Sequence, residues 1–380
     1  MPTRPTRATA LLALLAAGTI AGCSASPSSS GGTSASARGT TRLAEPFTVD
    51  HAAWNAVGYR WDWTSRPPLI TGARIAFADA YDDLIVVQDT GSMVSVIEAP
   101  TGKVRWNKQV RETNTRFLGN TRVDNSLFVT NETDLFEFDL ATGNTLDRTG
   151  LSTIATTAPV MFGNLAILGA AGGRLIAVDV RNDIRVWEYQ FDGLIETRPT
   201  RVDDWTVSAI STLGQIRTLD VESATSKGTA RISGDASEPM VSDGYITYVA
   251  SLDQSLYAFD AVENFRLWRK RSSAPVTVQP VLINGVLYAT TSDTGLMAIQ
   301  GDTGEVRWTN PSIGGWVVTT SKGDLMVWNG RDLMRVDAER GDLIAQATLS
   351  GVSGLRSNTP FDGEIYAISS EGAVARFSPR

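Results

Sequence analysis

From Glu98 onward the sequence repeats itself about every forty residues, and that period constrains the fold more than any single motif does. The recurrent phrase is a hydrophobic strand, an anchor residue (usually acidic), a turn often containing Gly, and a strand often ending in Trp. Its clearest copies run from Glu98 to Trp106 and from Gln300 to Trp308. Weaker copies start at Asp139, Asp179, Asp220, Asp260 and Asp337, and another places Phe377 forty residues after Asp337. Successive anchors from 98 to 337 are separated by 41, 40, 41, 40, 40 and 37 residues. Within each period the signals are those of strands. Pro280 to Ile283, Gly285 to Thr291, Gly295 to Ile299 and Glu305 to Trp308 are four short β-rich runs parted by turn residues. Proline is tolerated at the first residue of a strand, and Pro159, Pro199, Pro239 and Pro360 recur at the same spacing. Runs that are apolar on both faces, such as Tyr245 to Ala250, suit sheets covered on both sides.

Four-stranded units of this length, packed face to face, describe an all-β protein: an eight-bladed β-propeller of antiparallel blades. Phe377 has only three residues behind it, so the last blade needs an outer strand from elsewhere. Tyr59 to Thr64 has the right aromatic character, which predicts a ring closed by its own amino-terminal strand. The 322 residues from 59 to 380 divide into eight units of about forty. Seven blades is the alternative if the short 300–337 interval conceals a misreading.

The first 45 residues follow other rules. Residues 1–22 have the basic start, apolar stretch and small terminal residues of an export signal, and the stretch is too short to span a bilayer as a helix. Cys23 follows, the only cysteine in the chain. Ile20-Ala21-Gly22-Cys23 resembles a bacterial lipobox, which implies diacylation of Cys23 and attachment on the outer face of the cytoplasmic membrane, or at the outer membrane of a diderm host. Residues 23–45 then read as the lipidated cysteine and a Ser/Gly-rich tether, and 46–380 as the propeller. Nothing large and apolar lies between residues 24 and 42 to offset the entropy of ordering them. The whole chain's 34 Lys and Arg against 41 Asp and Glu, −7, give no footprint for nucleic acid, and without the four arginines of residues 1–42 the rest carries −11, which should repel anionic lipid slightly.

The phrase Gly-Xaa-Leu-Tyr-Ala followed by an acidic anchor, Thr-Gly and Trp resembles the pyrroloquinoline-quinone (PQQ) repeat over residues 66–380, with decayed copies at Asp179 and Asp220. Behind a lipobox, such repeats look like the propeller lipoprotein of the outer-membrane barrel assembly machinery and like actinobacterial propeller lipoproteins. The resemblance implies a non-catalytic scaffold or assembly factor that binds an envelope protein, with a monomeric ring and no cofactor. Quinone-dependent dehydrogenases of the same repeat are the enzymatic alternative. As the resemblance implies, they use adjacent cysteines, calcium and often a haem motif, and this chain has one Cys and no Cys-Xaa-Xaa-Cys-His.

Composition excludes other chemistry. One His cannot build a multi-histidine metal centre, and His51 lies before the first blade, away from any Ser–His–acid arrangement. Trp106, Trp187, Trp268 and Trp308 sit at repeat-locked positions and read as wedges between blades. The acidic anchors read as Asx turns, without the spacing of a calcium loop. Arg266 to Arg271 reads as a protected outer edge strand. Residues before the periodic prolines should converge on the mouth of the central channel: Arg66, Ala158, Arg198, Glu238, Gln279 and Thr359, with Arg116 equivalent in the second unit. Glu196 joins them because Phe191 to Thr197 adds apolar residues beside Arg198, and Trp316 on its Gly-Gly loop is a candidate partner anchor. Candidate partner or ligand contacts are therefore Arg66, Arg116, Glu196, Arg198, Glu238, Gln279 and Trp316. A sensor of a small polar ligand at the mouth is the remaining functional alternative.

Overall fold

The computed structural model describes residues 47–110 and 116–380. The segments assigned to the signal, Cys23 and the tether lie outside the described residues. Among the described residues, 32 strands form eight four-stranded antiparallel sheets, arranged as the eight blades of a ring. Blades 1 to 7 take residues 75–109, 117–150, 160–190, 200–231, 241–271, 281–310 and 316–348. Blade 8 combines Val352–Ser357, Ile365–Ser369 and Val374–Pro379 with Tyr59–Ser65 as its outermost strand. That strand runs antiparallel to the chain end, from Tyr59 opposite Pro379 to Ser65 opposite Val374. Closure by the leading strand and the count of eight both follow the sequence reading.

The middle strands carry the core. Leu84–Asp89 is buried at every position, whereas the outermost Thr145–Gly150 is mostly exposed. One device joins the blades at five of the eight seams. The outer-strand indole of one blade lies on the turn of the next and donates to a backbone carbonyl there: Trp63 to Ala99, Trp106 to Leu140, Trp187 to Val221, Trp268 to Gly301 and Trp308 to Ala338, all at 2.7–2.9 Å. The turn glycine makes room for the ring. A Cβ on Gly143 would stand 2.6 Å from Trp106, and one on Gly341 2.4 Å from Trp308. Both glycines also hold positive φ, +73° and +77°, which side-chain-bearing residues adopt at a cost. The anchors close these turns. Asp139 Oδ1 accepts from Thr142 N at 2.7 Å, and Asp260 Oδ1 accepts from Glu263 N at 2.7 Å.

Blades 2, 4 and 7 depart from the pattern, with Asp147, Gly228 and Ala345 where the wedge tryptophan belongs, and at blade 7 another part takes its place. The short helix His51–Ala56, capped by the Asp50 carboxylate on Ala53 N, fills that seam. Its Trp54 is 1% exposed, stacks on Phe377 with centroids 3.5 Å apart, and joins a cluster with Trp328, Leu333 and the half-buried Ala345. The amino-terminal segment thus supplies two missing parts, the wedge of blade 7 and the outer strand of blade 8.

Candidate functional site at the channel mouth

Up-and-down strands sort the connections onto two faces. Links between blades, and hairpins joining second to third strands, emerge on one face; the other hairpins emerge opposite. The links feed the innermost strands, so their last residues ring the channel. Arg116, Glu196 and Arg198 meet in one cavity of about 330 Å³ with Asp79, Asn120 and Thr156. Glu238, Gln279 and Trp316 meet in another of about 550 Å³, with Val278, Leu355 and Arg356.

Two sequence-predicted positions fall elsewhere. Arg66 directly follows the outermost strand Tyr59–Ser65, at the opposite end of its link from the innermost strand Ile75–Ala80, and lines neither cavity. Pro67 and Pro68 belong to the link and do not start a strand. Thr359 and Pro360 lie after the innermost strand of blade 8, in its first hairpin, because only three residues separate blade 7 from blade 8. The Thr359 carbonyl there accepts from Thr319 Oγ1 at 2.9 Å. Of the segment Phe191 to Thr197, Leu194 is exposed, but Phe191 and Ile195 turn into the core.

Much of the mouth's polarity is used by the ring itself. Arg198 Nε and Nη2 donate to Pro159 O at 3.0 and 2.6 Å, and Nη2 also reaches Thr121 Oγ1 at 2.8 Å. Gln279 Nε2 donates to Pro239 O at 2.9 Å. Both bonds span to the preceding blade. Arg356 makes a bond in the opposite sense, to the following blade across the closure, from Nε to Ala78 O at 3.0 Å. These arginines face acids that sequence reading did not single out. Asp79 accepts from Asn120 Nδ2 at 2.7 Å, and Asn120 Nδ2 also reaches Gln88 Oε1 at 2.8 Å, while Tyr81 Oη donates to Asn120 Oδ1 at 3.0 Å. Burial raises the Asp79 pKa above the usual carboxylate range, opposed by Arg356, the Asn120 bond and Arg198. Burial likewise raises Glu238 against the pull of Arg356, and lowers Arg198 against Asp79 and Tyr81. Tyr81 is pushed up to about 12, chiefly by burial.

No position in the repeat distinguishes Asp79 or Arg356 from other inner-strand residues, and only ring closure brings residues 79 and 356 together. That is why the sequence concealed them. His51, the one histidine, packs edge-on against Trp61 with centroids 5.4 Å apart, on the segment that leads into the rim strand.

The repeat's namesake cofactor is a flat tricarboxylate quinone, and the channel does not suit it. Arg198 and Arg356 are committed to backbone carbonyls, and Asp79 and Glu238 add carboxylates where three more would need cations. Among the described residues no group of three or more His, Cys, Asp or Glu could hold a metal ion.

No curated protein matches the sequence. Among solved structures, the ring resembles BamB from Moraxella catarrhalis, with a TM-score of 0.66 and 18% identity over 84% of this chain and 97% of that one. It also resembles the computationally designed Ika8 protein (TM-score 0.68, 13% identity, 80% of this chain and 96% of that one). The C-terminal WD40 domain of Sif2 is similar at a TM-score of 0.68 and 11% identity, over 85% of this chain and 98% of that one. At such identities these likenesses show the propeller fold alone. The family model described as outer membrane protein assembly factor BamB matches residues 52–261 and 205–378, and with that match over nearly the whole ring the chain belongs to this family of PQQ-repeat propellers.

Proposed function

We propose that the chain is a non-catalytic scaffold of the cell envelope, exported, tethered to a membrane through lipid on Cys23, and bound to an envelope protein by the mouth face of a monomeric ring. The observation that carries this reading is the family match, whose description is that of an assembly factor and which spans the whole propeller. The chemistry of the mouth supports it. Its arginines and amides staple blades together, which leaves a rigid rim of loops with Glu196 and Leu194 exposed, suited to contact more than to turnover.

A photoreactive residue in place of Glu196 should capture an envelope protein in living cells, and the same residue in place of Leu343 on the blade 7 rim should not. Equal capture from both positions, or turnover of a substrate by the purified protein, would sink the reading. One further function has an observation in its favour. The larger cavity combines Glu238, Arg356 and Trp316, and a sensor of a small polar ligand could use it. Ligand-dependent thermal stabilisation, lost in Glu238→Gln and without turnover, would mark that function. Stoichiometric PQQ binding in the presence of calcium would mark the quinone-dependent enzyme instead.

A further inference from the structure

The face opposite the mouth carries the first hairpin of every blade. The residue just before each second strand sits at the hairpin tip. In six blades it is a polar or turn-forming residue: Asp83, Asn125, Asn164, Gly285, Gly323 and Glu364. In blades 4 and 5 it is Trp205 and Tyr245, 62% and 83% exposed. Single exposed aromatics need no explanation, but two at one repeat position on neighbouring blades, with Phe265 53% exposed on the adjoining turn, form a patch.

The patch is held rigidly. Asp203 accepts from Trp205 N at 2.7 Å, and Val221 N donates to Trp205 O at 3.1 Å. In blade 5, Asp243 accepts from Tyr245 N at 2.9 Å and Ala261 N donates to Tyr245 O at 2.9 Å. The two hairpins adjoin, since a Cβ on Gly244 would lie 3.5 Å from Val202 O. Asn264 Nδ2 also ties the blade 5 turn to Thr218 of blade 4 at 2.9 Å. Hairpins whose backbone is already fixed lose little entropy on binding.

The charge around them is predominantly negative, although Lys227 Nζ donates to Trp205 O at 3.2 Å and pairs with Asp220 at 3.4 Å, and the exposed Arg266 follows Phe265. Residues 203–205, 221–225, 243–245 and 261–265 include Asp203, Asp204, Glu222, Asp243 and Glu263, and no Lys or Arg. Arg201 pairs with Asp204 at 2.7 Å; the other four have no ion-pair partner among the described residues. Anionic lipid is repelled by such a fringe. A guanidinium or ammonium group, by contrast, can lie over the indole or phenol ring and meet a carboxylate beside it.

We propose that this aromatic, acid-fringed face of blades 4 and 5 docks a partner-protein segment in which arginine or lysine alternates with apolar residues. The surface lies opposite the channel mouth and does not depend on the reading of the mouth. With both surfaces occupied, the ring would bridge two proteins.

The test uses the full chain and a fluorescent peptide of roughly 12 residues alternating arginine and leucine, with a glutamate–leucine peptide as control. Anisotropy should show saturable binding of the first peptide, weakened about tenfold or more by Trp205→Ser with Tyr245→Ser. Asp203→Asn with Asp243→Asn, which leaves the rings in place, should weaken binding and flatten its salt dependence. Leu343→Ser with Ile344→Ser, exposed apolar positions on another rim, should change nothing. Melting temperatures measured alongside verify that each variant is folded. The proposal is overturned by absence of saturable binding, by equal binding of the acidic peptide, or by undiminished binding in both blade 4–5 variants. Two further results overturn it by assigning another occupant: flotation with phosphatidylcholine–phosphatidylglycerol vesicles that requires Trp205 and Tyr245, or a sedimenting dimer that dissociates when they are replaced.

Discussion

Trp54→Ala tests whether the leading helix holds the seam between blades 7 and 8. Trp54 is 1% exposed, stacks on Phe377 and contributes edge contacts to Tyr59 at 6.4 Å between centroids. Truncating a buried tryptophan to alanine costs about 3–5 kcal/mol through lost transfer free energy and the cavity left behind. Relaxation that fills the space is restricted here, because Trp328, Leu333 and Phe377 are themselves buried and fixed by neighbouring blades. Unfolding entropy near the midpoint is about 2.1 cal/mol/K per residue, so the roughly 330 residues from Phe47 onward give about 0.7 kcal/mol/K. The expected fall in melting temperature is therefore about 4–7 °C, read by circular dichroism or calorimetry. Trp205→Ala, which removes the same side chain from an exposed hairpin, should change stability by no more than about 0.5 kcal/mol. If the two variants melt together, the seam does not depend on Trp54 and the helix is not the missing wedge of blade 7.

Gly304→Ala and Gly285→Ala separate two costs, since both glycines have φ near +75° but only at Gly304 would the new Cβ meet an indole, 2.7 Å from Trp268. Both should lose about 1–2 kcal/mol to strain, and Gly304→Ala a further 1–3 kcal/mol, roughly, to overpacking, by chemical denaturation. The folded-state pKa of Asp79 is raised, so its stabilising protonated form is fully present below about pH 4 and lost as pH climbs through the raised value. Asp79→Asn should consequently melt at or above the parent at neutral pH, with the gap closing on acidification; a variant that melts well below the parent at pH 7 would contradict the sign. Asp293 works the other way, held below the carboxylate range first by the Ser273 amide and then by the Thr291 and Ser272 hydroxyls. Asp293→Ala should lose stability at neutral pH and little under acid conditions below both pKa values, in thermal melts across pH. Cys23→Ser should release the protein from the membrane fraction and abolish incorporation of labelled palmitate, and membrane retention without label would refute lipid attachment.

Repetition made the ring legible, because most blades repeat at least part of the same compromise between a Trp, a turn glycine and an acidic anchor. The exceptions were harder. The absent tryptophan at Ala345 is visible in the sequence, but its replacement by Trp54 is not, since residues 47–58 belong to no repeat and their partner lies some 320 residues away. At the mouth, a proline-based rule located Arg198, Glu238 and Gln279 because their links are of equal length. It misplaced Thr359 where the link shrinks to three residues, and Arg66 where two prolines sit at the far end of theirs. Asp79, Asn120 and Arg356 are ordinary mid-strand residues whose importance comes only from convergence on an axis. Local pattern carries no information about that convergence.

The pairing of Tyr59 with Pro379 has a temporal consequence. The strand that leaves the ribosome first among the blades is the last to find its neighbour, and it must wait, unpaired, while some 310 residues are synthesised and folded behind it. During that interval two sheet edges, one at each end of the nascent protein, are open to wrong pairings. A chain truncated before Val374 would keep them open permanently, and aggregation should follow the loss of those last few residues more closely than the loss of any comparable stretch on the surface.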